Sequence, residues 1–246
     1  MPSTVVHVAL AGLVGTALLA EQFDGKAVAV VMAATALVDF DVFLGFWIPG
    51  AHRAAFHTLL VPLLGGVLLW ADLRRRERSV VRSRWGARGV RVAWVTIVAV
   101  TFAGIGLDAF FNGVNLFYPV HDRFYTFSGK LYYSTEEGFV QTLVNVDFEA
   151  LVEAFAPETS ASAGGEAGAG GGGSGGGGSG GGGGGNSDPV RTTENTHYST
   201  GIDPKKGSES GTVERLFPVA YTGERALLAL TGYTVVGLRV WMERRD

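Results

Sequence analysis

Five long apolar stretches restrict the fold of this chain more than any other feature of its sequence; they cover residues 5–20, 27–48, 54–71, 90–111 and 217–241. A helix of roughly 20 apolar residues crosses the hydrocarbon core of a bilayer, and most of these stretches approach that length. Only 17% of the residues are charged, against about 25% in soluble domains. We therefore predict an all-α polytopic membrane bundle of about five transmembrane helices. The first stretch is predicted to be a retained helix, because residues 1–4 lack the positive charge of a signal peptide.

Arginine is concentrated between the third and fourth stretches, over residues 74–91. Short loops rich in Lys and Arg stay in the cytoplasm, so this loop is predicted to be cytoplasmic. Counting the crossings places the N-terminus and the long segment after Asn112 outside, and the C-terminus inside. The alternative of a nucleic-acid surface is disfavoured because the loop lies between two apolar spans and the net charge is only -3. We expect no nucleic-acid partner.

Composition divides the chain into regions of different character. The segment after residue 115 begins rich in Phe, Tyr and Val, continues as nearly pure glycine with Ser and Ala, and then becomes polar and acidic. A glycine tract cannot bury enough apolar surface to offset its ordering entropy. The predicted regions begin with a four-helix membrane region at residues 1–114 and an extracytoplasmic cap at residues 115–162, which includes a helix near residues 146–155. A disordered linker follows at residues 163–190, and then a tail at residues 191–216 that is either loosely ordered or laid against the cap. The last region, residues 217–246, is a transmembrane helix with a cytoplasmic end.

Ionisable residues interrupt the apolar spans at a few places, although a charge at the bilayer centre costs at least about 2.5 kcal/mol. The predicted topology places all these ionisable residues in the outer half of the membrane, and it places the turn after the second span there too. Asp39 and Asp41 lie two apart, which on a regular helix points them to different faces, so both can serve one site only if the helix ends or unwinds there. The residues at this level are His7, Asp39, Asp41, His52, Arg53, His57 and Asp108.

Histidine and aspartate at one depth indicate a site for a divalent metal, with zinc as the expected ion. The chain has no cysteine, so thiolate ligands are excluded. A metal with an open position lowers the pKa of bound water toward about 7 and supplies hydroxide for hydrolysis. We assign catalytic roles to Asp39, Asp41 and Arg53, the last pairing with a carboxylate. The predicted metal ligands are His7, Asp39, Asp41, His52, His57 and Asp108.

Structural interpretations stand beside this one. A lone histidine in an apolar helix, such as His7, is more often a satisfied core histidine, and Asp39 and Asp41 are equally a helix cap or partners of Arg53. His52 is placed at the entrance of the third helix and His57 about one turn inside it. His121 and Asp122 are predicted to be solvated at the water boundary, although His121 could replace a missing ligand if its loop folds back. His197 is predicted to be inert.

The motifs resemble those of membrane-bound metal-dependent hydrolases, including LexA-regulated inner-membrane proteins. They are His7, the Asp-x-Asp at residues 39–41, the His-Arg-x-x-x-His at residues 52–57, and Asp108 followed by the Gly-Val-x-Leu-x-x-Pro of residues 113–119. The resemblance covers roughly residues 1–125 and implies a helical membrane protein with a His/Asp metal centre. Members often have histidine where this chain has Val42 and Gly104, and threonine where it has Phe56. The cysteine-free, Gly-rich, acidic outer segment would suit an archaeon living at high salt.

Together these features predict a membrane-embedded hydrolase whose site lies at the outer interface. Its expected partners are membrane lipid and a phosphoester or lipid-like substrate. The alternative is a non-enzymatic membrane protein whose polar cluster stabilises helix packing or binds a metal structurally. An ion or proton pathway would also need polar residues at the inner depth, and the sequence has few.

Overall fold

The computed structural model describes residues 3–48, 50–75, 79–127, 129, 131–135, 138–141, 190–198, 200, 202, 215 and 217–245. The described chain is mostly helical. Its α-helices are α1 (Thr4–Leu19), α2 (Gly25–Ala36), α3 (Asp41–Leu44), α4 (Leu60–Arg74), α5 (Val80–Ala99), α6 (Leu107–Phe111) and α7 (Gly223–Glu243). Strands β1 (Leu131–Ser134) and β2 (Gly138–Gln141) form an antiparallel hairpin, which adds a small β element to the predicted all-α fold. The helix predicted near residues 146–155 and the tract at 163–189 lie outside the described residues.

Within the described residues, three continuous helical stretches are long and apolar enough to cross a membrane: Thr4–Gln22, Gly25–Leu44 and Val80–Phe111. They correspond to the first, second and fourth apolar stretches of the sequence. Helix α4 has only 15 residues, and α7 carries charged residues near both of its ends. The membrane character of the chain is thus confirmed, while the count of five crossings stays a prediction.

Helix α1 lies at the centre of the bundle and packs against α2, α5 and α7. Small residues allow the closest approach: a Cβ atom added at Gly232 of α7 would lie 2.5 Å from the Ala9 carbonyl oxygen of α1. Close backbone approach through small residues is the usual way that helices associate in lipid. The core between α1, α2 and α5 is apolar throughout and includes Ala11, Leu19, Val28, Val31, Val95 and Ala99.

Two interruptions of regular helix create the site. The α-helical part of the second span ends at Ala36, and a 3₁₀ turn over Leu37–Phe40 leads into α3, as the spacing of Asp39 and Asp41 predicts. Helix α5 continues through a π-helical turn, Val100–Gly106, into α6. Such π-helical turns occur frequently at functional sites.

The third helix begins later than predicted, at Leu60 instead of residue 54. Arg53 has a φ of +67°, which a helix does not allow, and its backbone N–H donates to a side-chain oxygen of Asp41 at 3.0 Å. These contacts hold residues 51–59 in an irregular turn. The prediction that His57 lies one turn inside the helix is therefore wrong, because His57 precedes the helix.

The opposite end of the bundle carries the arginines. Arg88 of α5 forms an ion pair with Asp24 at the start of α2. Arg91 Nε donates to the Leu18 carbonyl oxygen at 2.8 Å, and Glu243 of α7 accepts a hydrogen bond from the Gly25 N–H at 2.9 Å. The His/Asp residues and these arginines therefore occupy opposite ends of the same helices.

The segment at 191–198 packs against the loop that follows α6. The Phe124 N–H donates to the Arg191 carbonyl oxygen at 2.8 Å, and the Thr193 N–H donates to Asp122 at 3.0 Å. Val114 pairs with Tyr125 across the same loop. Of the two alternatives predicted for the tail, residues 191–198 follow the one in which the tail is laid against the cap.

Candidate metal centre

Four side chains from four separate elements meet at one end of the bundle, three of them buried and Asp39 partly buried: His7 of α1, Asp39 of the 3₁₀ turn, His57 of the irregular turn and Asp108 of α6. His57 Nε2 lies 3.4 Å from Asp39 Oδ1 and 3.2 Å from Asp108 Oδ2. His7 Nε2 lies 3.5 Å from Asp108 Oδ1. Ligand atoms of His7, Asp39 and Asp108 all lie within 4.8 Å of one another. We call these four residues the centre.

A hydrogen bond to the main chain fixes the orientation of His7. Its Nδ1 lies 2.6 Å from the Ala103 carbonyl oxygen, within the π-helical turn. A carbonyl oxygen only accepts hydrogen bonds, so Nδ1 must carry the proton. Nε2 is buried and has no hydrogen-bond partner. In the neutral ring this nitrogen presents its lone pair to the centre.

Asp41 orients the second histidine in the same way. His57 Nδ1 lies 2.8 Å from Asp41 Oδ2, and an ionised carboxylate only accepts hydrogen bonds. His57 Nδ1 is therefore the protonated nitrogen, and Nε2, which has no hydrogen-bond partner, faces the carboxylates of the centre. A carboxylate behind a histidine is the arrangement that commonly supports metal-bound imidazoles.

The structure separates the predicted ligands into two groups. Asp41 is fully buried and accepts hydrogen bonds from His52 Nδ1 at 2.8 Å and from the Arg53 N–H at 3.0 Å, in addition to that from His57. His52 is therefore held by Asp41 and not by the carboxylates of the centre. Both residues lie behind the four residues of the centre, where Asp41 acts as the support of the turn.

Arg53 reaches the centre from the same turn. Its Nη2 donates to Asp108 Oδ1 at 3.1 Å, and both side chains are 2% exposed. A non-glycine residue with φ near +67° is uncommon and costs about 1–3 kcal/mol, so other contacts must hold it there. The guanidinium pairs with a carboxylate of the centre, as predicted for Arg53.

The charges around the centre do not balance without a further cation or protons. Asp39, Asp41 and Asp108 supply three carboxylates, and Arg53 supplies one guanidinium. With neutral imidazoles, the cluster therefore carries a net charge of -2 in a nearly dry environment. Unpaired buried charge is costly. Either two protonated histidines or one divalent cation would balance this charge.

Tyr198 also belongs to the surroundings of the centre, although no motif in the sequence indicates it. The Arg53 guanidinium carbon lies 4.6 Å from the centre of the Tyr198 ring, and the Tyr198 hydroxyl donates to the Asn112 carbonyl oxygen at 2.7 Å. Burial raises the pKa of the Tyr198 hydroxyl, so the residue is a neutral cover over Arg53. The available signal was that Tyr198 is the single Phe, Tyr or Trp in residues 186–214.

The remaining candidates lie away from the centre. Asp122, predicted to be solvated, accepts hydrogen bonds from Asn115 Nδ2 at 2.6 Å and from Thr193. His121 stacks at a tilt beside Tyr125, with 6.2 Å between the ring centres. His197 is exposed. Asp122 thus joins the loop after α6 to the tail.

Comparison with known proteins supports the membrane assignment. The family model described as "YdjM inner membrane protein" matches residues 1–163, about two thirds of the chain. No curated protein and no solved structure matches the chain. The matched region contains every residue of the centre, together with Asp41, His52 and Arg53. The chain therefore belongs to the YdjM inner membrane protein family.

Proposed function

We propose that this protein is a membrane-embedded, metal-dependent hydrolase whose divalent ion, zinc, is held by the centre. The observation that carries the proposal is the spacing of the ligand atoms. Tetrahedral zinc with bonds of about 2.0–2.2 Å requires roughly 3.3–3.6 Å between neighbouring ligand atoms. In the centre, His57 Nε2 lies 3.2 Å from Asp108 Oδ2 and 3.4 Å from Asp39 Oδ1, and His7 Nε2 lies 3.5 Å from Asp108 Oδ1.

The donors also suit such an ion chemically. Two histidine nitrogens lack hydrogen-bond partners and face carboxylate oxygens in a buried site. A divalent ion would neutralise the net charge of the cluster, and neutral imidazole with carboxylate is a common zinc ligand set. The residues of the centre therefore fit the metal that the resemblance implies.

A metal held in the centre with one position left open to water would supply an acidified water and a Lewis acid for ester cleavage. The surrounding residues would perform the remaining tasks. Asp39 Oδ2 is buried without a hydrogen-bond partner, and with Oδ1 on the ion it would accept a proton as general base. Asp41 holds His57 in its tautomer, and Arg53 balances the charge of Asp108.

The exposed side of the centre favours a lipid-like substrate. The side chain of Asp39 is 16% exposed, whereas those of His7, His57 and Asp108 are at most 2% exposed. Leu37 and Phe40, on the same 3₁₀ turn, expose about half of their surface. Asp39 is thus reached across an apolar surface, as a substrate carried in the bilayer would require, and a phosphoester head group would meet the centre there.

The proposal includes an orientation in which the arginine-rich end is cytoplasmic and the centre faces outward. The separation of the arginines from the centre along the helices supports it, because cytoplasmic loops are enriched in Lys and Arg. A cysteine at Ser83 should resist a membrane-impermeant thiol reagent in intact cells, and one at Ser174 should react. The reverse labelling would overturn the orientation.

The test of activity combines metal content and turnover. The full chain is purified in detergent, bound metal is measured by elemental analysis, and hydrolysis of phospholipids and generic phosphoesters is assayed. Asp39→Asn and His57→Gln should lose both the metal and the turnover. Glu21→Gln and His197→Gln, exposed residues outside the centre, should retain both. Absence of stoichiometric metal after reconstitution would refute the proposal.

The number of ligands supports a second candidate, a structural metal site. Four protein ligands fill a tetrahedral shell, which is typical of structural zinc, whereas catalytic zinc keeps an open position. Under this alternative the wild type binds one ion that raises its melting temperature but hydrolyses none of the esters. Ion-dependent turnover that Asp39→Asn abolishes would exclude it.

A further inference from the structure

The opposite end of the bundle contains an open groove that is unrelated to the centre. It has a volume of about 630 Å³ and lies over α5, between α2 and α4. It is lined mainly by apolar residues, and several of these are small, including Ala27, Gly65, Gly89 and Ala93. A Cβ atom at Gly65 would have no neighbour closer than 3.9 Å. Small side chains therefore create the space.

The rim of the groove is polar and basic. Lys26, Arg88 and Asp24 line it, so two positive charges face one negative charge. Arg88 and Asp24 pair with each other, which leaves Lys26 as the unbalanced cation among these three rim residues. Trp85, 57% exposed, lies at the same rim, and tryptophan is typical of the membrane interface.

The length of the groove matches one leaflet of a bilayer. Its lining residues on α5 run from Val81 to Ile97, and Gly86 interrupts the helix with a φ of +65°. The part of this wall beyond the interruption, from Arg88 to Ile97, corresponds to roughly 14 Å at the helical rise. Half of a hydrocarbon core is about 15 Å thick. An acyl chain in the groove would thus place its head group beside Lys26 and Trp85.

We propose that this groove binds an anionic phospholipid, with the phosphate at Lys26 and Arg88 and an acyl chain along the small residues of α5 and α4. Basic pockets between membrane helices are suited to anionic head groups. A second groove, on the other side of α4, provides a comparison. It has a volume of about 780 Å³, is lined by Gly66, Trp70 and Trp94 among others, and has no charged lining residue.

Two adjacent glycines make a matched test, because Gly65 lines the basic groove and Gly66 lines the uncharged one. The delipidated full chain in detergent is titrated with phosphatidylglycerol or phosphatidylcholine, and bound lipid is counted by native mass spectrometry. Phosphatidylglycerol should bind the wild type more tightly than phosphatidylcholine. Gly65→Leu should abolish that preference, and Gly66→Leu should retain it.

A substitution of Lys26, the residue that would meet the head group, tests the charge of the groove separately from its shape. Lys26→Gln should weaken phosphatidylglycerol binding about fivefold, the effect expected for one basic residue, while Arg244→Gln on α7's exposed end should leave it unchanged. Circular dichroism of each variant confirms that it is folded. Equal binding of the two lipids by the wild type, or equal losses in Gly65→Leu and Gly66→Leu, would overturn the proposal.

Discussion

The substitution Asp41→Asn separates the residues that hold a metal from the residue that supports them. Asp41 accepts hydrogen bonds from His52 through Oδ1 and from His57 through Oδ2. An amide offers one acceptor atom and one donor group, so it can keep the tautomer of only one histidine. The other histidine must lose its hydrogen bond or move its proton to Nε2. If His57 changes, its ligating lone pair is lost from the centre.

The expected size of the effect follows from the role of Asp41. Removing a residue that supports a metal ligand typically lowers metal affinity 10–100-fold, which corresponds to about 1.4–2.8 kcal/mol. Loss of a direct ligand would cost more. We expect Asp41→Asn to bind zinc 10–100-fold more weakly than the wild type and to retain a stoichiometry of one, measured by competition with a chromophoric chelator in detergent.

Asp122→Asn is the matched control. Asp122 also accepts several hydrogen bonds, from Asn115 and from the backbone and hydroxyl of Thr193, but it is not among the residues of the centre. Its amide variant should lower the melting temperature without changing zinc affinity. Wild-type zinc affinity in Asp41→Asn would refute the supporting role, and complete loss of binding in a folded protein would show that Asp41 is a ligand.

Three further predictions test the site and the bundle. Zinc affinity should fall as the pH decreases below neutrality, by at most about 100-fold per pH unit, because two protons compete for His7 Nε2 and His57 Nε2. Competition with the chromophoric chelator at a series of pH values measures this affinity. An affinity that does not depend on pH would contradict histidine ligation. Gly232→Ala should destabilise the fold by about 1–3 kcal/mol, because its Cβ would meet the Ala9 carbonyl oxygen. Gly237→Ala should not destabilise the fold, because its Cβ would meet nothing within 4 Å. Thermal unfolding in detergent compares the two variants. Tyr198→Ala should expose Arg53 and speed the removal of zinc by a chelator, while Tyr233→Ala on α7 should leave that rate unchanged; equal rates in the wild type and Tyr198→Ala would show that Tyr198 is not a cover.

Parts of this architecture can be read from the sequence because they depend on local patterns. Apolar length indicates membrane helices, and the two-residue spacing of Asp39 and Asp41 indicates that α2 ends before them. The polar residues of the spans converge because each lies at the same end of its helix. Contacts between residues far apart in the sequence cannot be predicted in this way. Tyr198 contacts Arg53 although 145 positions separate them, and no local pattern pairs the two residues.

The division between ligands and supporting residues could not be read from spacing either. Asp39 and Asp41 are equivalent in the motif, yet one faces His57 Nε2 and the other His57 Nδ1. That difference depends on the irregular turn at residues 51–59, whose path is set by the φ of Arg53 and by hydrogen bonds to Asp41. Because residues 54–59 continue the apolar stretch of the third helix, hydrophobicity predicts that the helix includes them. His57 is therefore predicted inside the helix, although it lies in the turn that precedes it.

The π-helical turn at Val100–Gly106 sets the rotational phase of everything that follows it on the same helix. An α-helix advances 100° per residue, so inserting one residue into the regular part of α5 just before this turn would swing Asp108 by about that angle around the axis. The span would keep its apolar character, and the protein would still insert. The carboxylate that meets both histidines and Arg53 would nevertheless face another direction, so this one-residue insertion would separate membrane insertion from assembly of the centre.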